Sequence, residues 1–270
     1  MRHSQLIQIH GTDVKVSRLS LGTAPLGGLF KSVSEAESDT VIHEALDAGI
    51  AYIDTAPLYG YGVGEVRVGR GIKGHHRQPV ISTKVGRLLR PGKNLEYDKF
   101  PDSDPNLEIY FDHSAAGIRK SLEESLKRLG RDSLEIAYIH DADSWVREAI
   151  DVVYPELHKM RDEGLIKAIG IGMNWCPTSI AIMKETELSI ALIAGRFTLL
   201  DQSAQDELYP LALKKKVSII AAGVFNSGVL ANPVPGAYYD YEPASNEIIE
   251  KARAIGKYLE KFDISLPAAA

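Results

Sequence analysis

The sequence predicts an α/β fold built on a parallel β-sheet, and two features carry that expectation. Seven short runs rich in Val and Ile alternate with longer segments of helical periodicity, and strand–helix alternation sets successive strands side by side in parallel. No shift in composition marks a linker, so residues 1–270 read as one domain. The apolar fraction of 44% is ordinary for a globular protein. A chain of this length buries a full core without staples.

Residues 6–16 read as a β-hairpin turning at Gly11-Thr12-Asp13. The strands that follow are expected at Leu19–Gly22, Ala51–Asp54, Val80–Thr83, Leu134–Ile139, Ala168–Gly172, Ile190–Ala194 and Val217–Ala221. The first helix opens with a capping box, Ser34 with Glu37, and ends before Gly49. Others span 113–129, stopping at Gly130, and 146–163, stopping at Gly164; residues 244–262 read as the helix after the seventh strand. Residues 86–112 show no clear periodicity, and a connection this long in a compact domain is usually functional or disordered. It carries Leu88, Tyr97, Phe100, Tyr110 and Phe111, and is expected to cover a substrate pocket at the C-terminal ends of the strands.

Composition excludes several classes. A net charge of −5 argues against a nucleic-acid surface. A single cysteine, Cys176, leaves no disulfide framework, the usual state of a cytosolic protein. The start, MRHSQLIQIH, has no apolar signal core, and no apolar run approaches the ~20 residues that span a membrane. A soluble, cytoplasmic protein is expected, with a small-molecule substrate and no nucleic-acid or membrane partner. Glycine-rich stretches do not complete a nucleotide fingerprint. Gly62-Val63-Gly64 has Arg67 at the third glycine position, and Gly28 and Val229 stand where two phosphate-loop spacings require lysine. All three read as turns or close-approach sites. His75-His76 reads as exposed loop and not a metal pair, because adjacent side chains point apart and no third ligand lies near in sequence.

The polar residues at strand ends are more telling. Asp54, Lys84 and His140 end the second, third and fourth strands, Asn174 follows the fifth, and Tyr59 lies just beyond Asp54. The sheet can be open and doubly wound or closed into a barrel; in a β/α barrel these ends share one rim, where active sites are found. A tyrosine hydroxyl titrates near ~10, and an adjacent ammonium lowers that value. Lys84 supplies such a charge, Asp54 can hold Lys84 by an ion pair, and His140 can hydrogen-bond a substrate oxygen. Such a set moves a proton at an oxygen while hydride moves at the attached carbon. Nothing in it suits a covalent intermediate or a metal.

Asp54-Thr55-Ala56-Pro57-Leu58-Tyr59-Gly60, with Gly64-Glu65 behind it, resembles the signature of the aldo-keto reductases. So do Ser82-Thr83-Lys84-Val85, Tyr138-Ile139-His140 and Glu163 to Gly170. The resemblance runs from about residue 16 to the end. It implies a (β/α)8 TIM-type barrel, an N-terminal β-hairpin closing its bottom, and a catalytic tetrad at Asp54, Tyr59, Lys84 and His140. It implies an NAD or NADP cofactor contacted by Gly22, Thr23, Asp54 and Asn174 and by Phe225, Asn226, Ser227, Gly228 and Leu230. Tyr59 and His140 would meet the substrate, and Trp145 and Trp175, which follow strand ends, would wall its pocket. The sequence departs from the common pattern at Gly172-Met173-Asn174-Trp175 and at Ala194-Gly195-Arg196-Phe197. There it is similar to the branch of aldose 1-dehydrogenases acting on sugars of the L-fucose or L-galactose type, with pyridoxal 4-dehydrogenase as a relative.

The resulting expectation is an NAD(P)-dependent oxidoreductase that oxidises an aldose at C1 to a lactone, with Tyr59 as general acid/base. The alternatives are a general aldehyde or ketone reductase using NADPH, a pyridoxal 4-dehydrogenase, and a non-catalytic, nucleotide-binding regulatory barrel. Seven barrel strands are counted where a closed barrel has eight, so the eighth βα unit is expected to lie outside these 270 residues and the barrel to be C-terminally incomplete.

Overall fold

A computed structural model describes residues 3–270. The hairpin forms as expected: β1 (Leu6–Gln8) pairs antiparallel with β2 (Lys15–Ser17) around Gly11, whose φ of 71° suits the turn. The barrel strands are β3 (Leu21–Gly22), β4 (Tyr52–Asp54), β5 (Val80–Val85), β8 (Ile136–His140), β9 (Ala168–Met173), β10 (Ile190–Ala194) and β11 (Ser218–Ala222). They form one parallel seven-stranded sheet in the order β11-β10-β9-β8-β5-β4-β3. This is the β/α barrel arrangement, with β3 and β11 unpaired with each other among the described residues. The seven expected strands are all present, with ends differing by one or two residues, and the described residues contain no eighth.

Between the strands run α1 (Glu35–Asp47), α2 (Val63–Ile72), α3 (Ala115–Leu129), α4 (Val146–Glu148) continuing through a π turn into α5 (Tyr154–Asp162), α6 (Cys176–Glu185) and α7 (Leu208–Lys215). The capping box is complete: Ser34 Oγ accepts the Glu37 N–H while Glu37 accepts the Ser34 N–H. Gly130 closes α3 in the left-handed conformation, with φ 65°. α8 (Asn246–Leu259) follows the seventh strand and α9 (Leu266–Ala269) ends the chain.

Two elements were not legible as structure. Within residues 86–112, β6 (Arg87–Pro91) and β7 (Leu107–Phe111) pair as an antiparallel ribbon. Beyond β11, β12 (Tyr238–Tyr239) and β13 (Glu242–Pro243) form a second small hairpin.

Strand side chains alternate in direction, and here the alternation separates core from site. Ile53, Ile81, Val85, Ala137, Ile139, Ile169 and Ile171 face outward into the layer packed by the helices. Tyr52, Ile136, Tyr138, Ala168 and Ile190 face inward and meet Ile9, Val14 and Val16 of the hairpin, which plugs the bottom. Asp54, Lys84 and His140 are the next inward positions along β4, β5 and β8, so the period of two delivers all three to the top of the interior.

Candidate active site

Asp54, Lys84 and Tyr59 form one hydrogen-bonded unit. Lys84 Nζ donates to Asp54 Oδ2 at 2.7 Å, to the Thr55 carbonyl at 2.8 Å and to Tyr59 Oη at 3.0 Å. Asp54 Oδ1 accepts from Ser82 Oγ at 2.6 Å. Below it, the Tyr52 hydroxyl meets both Ser82 Oγ and the Tyr138 hydroxyl at 2.9 Å. Thr23 donates both its N–H and its hydroxyl to the Asp54 carbonyl, at 3.0 and 2.9 Å. Asp54 and Lys84 are buried, Tyr59 is half-buried and all three are partnered, so the lysine ammonium is fixed beside the phenol. Gly172 supplies its space: a Cβ there would lie 3.3 Å from Lys84 Cε.

Electrostatics refine the expectation for Tyr59. Burial raises its pKa, Lys84 lowers it by charge and hydrogen bond, and Asp54 and Asp141 raise it. The balance lies above the ordinary tyrosine value, not below it, because the phenolate loses more by leaving water than one ammonium restores. Burial also works against the Lys84 ammonium, but Asp54 and Tyr59 outweigh it and hold Lys84 above the ordinary lysine value. His140 is held well below the ordinary histidine value, first by burial and then by the charges of Arg87 and Lys84. It is therefore a neutral imidazole, its ring edge-on to that of Tyr59 with centroids 6.5 Å apart.

The turn carrying Tyr59 is set by close backbone approach. A Cβ on Gly27 would lie 2.6 Å from the Tyr59 carbonyl carbon and 2.9 Å from Gly60 N, both backbone atoms that cannot rotate away. Gly27→Ala is expected to lower stability by about 1–3 kcal/mol through overpacking and to reduce kcat by shifting Tyr59. Thermal unfolding and turnover measured on the same preparation check this; an unchanged Tm would contradict it. Behind the turn, α2 is locked. Glu65 accepts from Arg128 Nε at 2.6 Å and from the Thr83 hydroxyl, while Arg67 reaches the Leu26 and Val33 carbonyls and Asp102.

The other expected contacts gather on the same rim. Asn174 Nδ2 donates to Asp141 Oδ1 at 3.2 Å, and its carbonyl accepts from Arg196 Nε at 2.7 Å. Asn226, Ser227 and Gly228 are successive left-handed residues with φ 46°, 59° and 109°. Asn226 Oδ1 is buried without a partner, and the Ser227 N–H makes no hydrogen bond among the described residues. The Asn226 and Gly228 N–H groups already donate to the Gly223 and Phe225 carbonyls, so of these three residues Ser227 alone offers a free backbone donor to a dinucleotide phosphate. Leu230 contributes less than expected: it is fully buried and its N–H already donates to the Phe225 carbonyl. Gly22 lies open at the end of β3, and Phe225 is exposed beside the loop.

Trp145 and Trp175 differ. Trp145 is 6% exposed and stacks on His113 at 3.8 Å, forming an aromatic wall. Trp175 is 56% exposed, with the Arg196 guanidinium 4.7 Å from its ring. The 86–112 segment lies over the C-terminal rim: Arg87 pairs with Asp141 at 3.0 Å, and the Lys99 carbonyl accepts from Phe30 N at 2.7 Å. Phe100 is buried against Tyr61, whereas Tyr97 is exposed. Phe30 stacks on Tyr238 at 4.2 Å, so the loops after the first, third and seventh barrel strands meet across the mouth.

His75 and His76 depart from the sequence expectation. Their rings lie 4.6 Å apart, and His75 Nε2 stands 3.5 Å from Asp47 Oδ1, because the α2–β5 turn brings the pair to the end of α1. The ligand atoms of all three lie within 4.8 Å of one another, at the end of the barrel away from Tyr59.

This rim, with a lysine-paired tyrosine and a neutral histidine at the C-terminal ends of parallel strands, defines an oxidoreductase site of the barrel type. Residues 18–265 match the Aldo/keto reductase family, and the chain belongs to it. It is 38% identical to D-threo-aldose 1-dehydrogenase of a Pseudomonas species over 94% of this chain and 80% of that one. It is 36% identical to pyridoxal 4-dehydrogenase of Microbacterium luteolum over 96% and 82%. Among solved structures, glycerol dehydrogenase from Gluconobacter oxydans superposes with a TM-score of 0.74 at 26% identity, covering 97% of this chain and 80% of that one. The protein is an NAD(P)-dependent oxidoreductase acting on small molecules. No helix among the described residues is long and apolar enough to cross a membrane.

Sequence reasoning missed Arg87, Asp141, Arg196 and the Tyr52–Ser82–Tyr138 hydroxyl chain. The inward alternation of β4, β5 and β8 was the available signal for the hydroxyls, since it places a polar residue one step below each rim residue. Arg87 and Asp141 had none, because their pairing depends on how the β6–β7 ribbon folds back.

Proposed function

We propose that the protein oxidises the C1 hydroxyl of a cyclic aldose of the L-fucose or L-galactose type to a lactone, with Tyr59 as the proton-transfer group. The observation that carries the reading is the 3.0 Å contact of Lys84 Nζ with Tyr59 Oη, anchored by Asp54 at 2.7 Å. It is an acid–base group stabilised by a fixed charge, with no built nucleophile for covalent chemistry. The substrate class rests on the similarity to D-threo-aldose 1-dehydrogenase and, at 27% identity over 100% of this chain and 82% of its own, to L-galactose dehydrogenase of Arabidopsis thaliana.

When bound, the oxidised nicotinamide supplies the acceptor for the two electrons and proton that leave C1 as hydride. Gly22, Asn174 and the loop from Phe225 to Gly228 would hold that cofactor, whereas Thr23, fully buried with both donors on the Asp54 carbonyl, would act by fixing Asp54, and Leu230 by fixing the loop. His140 Nε2–H donates to the C1 oxygen and orients the hydroxyl. Tyr59, as phenolate, takes the hydroxyl proton; the C1–O bond gains double-bond character as the C1–H bond breaks. Lys84 stabilises the phenolate before the transfer and loses that partner charge after it. Trp145, beside Asp141, and Trp175, beside Arg196, would wall the substrate pocket.

A panel of aldoses, pyridoxal and simple aldehydes, each run with NAD and NADP cofactors, tests the reading. The expected result is the largest kcat/KM on a sugar of the L-fucose or L-galactose configuration, with lactone as product. Pyridoxal as the preferred substrate would favour the second reading, which the 36% identity to pyridoxal 4-dehydrogenase supports. Preference for simple aldehydes with NADPH would mark a general reductase. Tight nucleotide binding with no turnover of any substrate would favour a regulatory barrel.

A further inference from the structure

Asp141 is a polar junction at the mouth of the barrel. It follows His140 directly, with φ 44°, a backbone conformation that costs a non-glycine residue energy and persists only where the surroundings over-determine it. Here they do. Its N–H donates to the Gly172 carbonyl at 3.0 Å, and its own carbonyl accepts from Trp145 Nε1 at 3.2 Å. Its two carboxylate oxygens are engaged by separate donors: Oδ2 by Arg87 Nη2 at 3.0 Å and Oδ1 by Asn174 Nδ2 at 3.2 Å. The same Oδ2 stands only 3.5 Å from His140 Nε2, yet the His140 ring makes no hydrogen bond among the described residues. His140 Nδ1 is buried without a partner. A proton on Nδ1 would be stranded there, and leaving a buried donor unmade is costly, so the neutral ring carries its proton on Nε2.

We propose that Arg87 and Asn174 are positioning residues that hold the Asp141 carboxylate, so that His140 Nε2–H stays free for the substrate oxygen. Without those donors the nearest acceptor for His140 is the carboxylate next to it in the chain. A histidine–carboxylate hydrogen bond would take the proton the substrate needs and favour the imidazolium. The groups around His140 fit this arrangement. Lys84 from β5 and Arg87 from β6 are cationic and oppose its protonation, and burial does so more strongly. Tyr59 lies edge-on. Tyr241, between β12 and β13, is pushed up to about 12 by burial and by the nearby Tyr59 and Asp141, so it remains a neutral phenol. Asp141 is the anion poised to reverse the balance. The proposal rests on the role given to His140 above.

The test reads His140 directly. In protein carrying isotope-labelled histidine, with the His140 signal assigned from a His140→Gln sample, NMR titration is expected to show a neutral Nε2–H ring throughout the pH window in which an ordinary histidine titrates. In Arg87→Met the ring gains a proton within that window, and kcat falls about 10- to 100-fold while KM moves less than about threefold. The double variant Arg87→Met/Asp141→Asn removes the freed carboxylate. It is expected to return His140 to neutrality and to restore kcat to within about threefold of wild type. A packing role for Arg87 predicts the opposite, a double variant as slow as the single one or slower, and that result overturns the proposal. So does an effect confined to KM, which would make Arg87 a substrate ligand, and so does a His140 that stays neutral in Arg87→Met. Should Arg87→Met not fold, Arg87→Gln serves the same comparison. The titration needs no substrate, so failure of the aldose assignment leaves it readable.

Discussion

Tyr59→Phe is expected to abolish nearly all turnover while leaving nicotinamide-cofactor affinity unchanged. The phenol oxygen is the only atom removed, and it is the atom that Lys84 addresses at 3.0 Å. The hydrogen-bond chain from Asp54 through Ser82 and Tyr52 to Tyr138 does not include it, so the site keeps its geometry. Positioned acid–base groups contribute about 10²–10⁴-fold, and the loss should appear in kcat and in kcat/KM alike. Retention of more than about a tenth of the wild-type rate would take Tyr59 out of the proposed role.

Lys84→Met carries the second large effect, and its sign follows from the charges. Burial already holds Tyr59 above the ordinary tyrosine value, and Lys84 is the principal force pulling it down. Removing the ammonium raises the tyrosine pKa further. Oxidation needs the phenolate, so its pH–rate profile should move to higher pH, and below the pKa each unit of displacement costs about tenfold in rate. Reduction uses the protonated phenol and should be less affected at neutral pH. The variant also leaves Asp54 buried without its ion-pair partner, a costly arrangement, so its thermal stability should be measured alongside. A profile unmoved in Lys84→Met would break the link between the two residues.

The fold and the site were legible in the sequence to different depths for physical reasons. Strand positions came from apolar runs and helix ends from Ser34, Gly130 and Gly164, all of them local signals, and the structure bears them out to within a residue or two. The rim residues Asp54, Lys84 and His140 were legible because a parallel barrel sends strand ends to one face. What was not legible depends on non-local contact. The β6–β7 ribbon has a weak periodic pattern and is held by pairing and by contacts such as Arg67 with Asp102. The Asp141 junction draws on residues as distant as Arg87 and Asn174. The sequence identified the Lys84 charge that lowers the tyrosine pKa but not the burial that outweighs it, because charge proximity can be inferred from neighbours in a motif, whereas the depth of burial cannot.

The most direct test of the account is to follow the hydrogen on C1. An aldose of the L-fucose or L-galactose type, deuterated at C1, is incubated with the protein and the oxidised nicotinamide cofactor, and the products are examined by mass spectrometry. The account predicts deuterium on the reduced nicotinamide, a lactone without it, and loss of the transfer in Tyr59→Phe. Deuterium retained in the sugar product, or released to water during turnover, would contradict hydride transfer from C1 at this site.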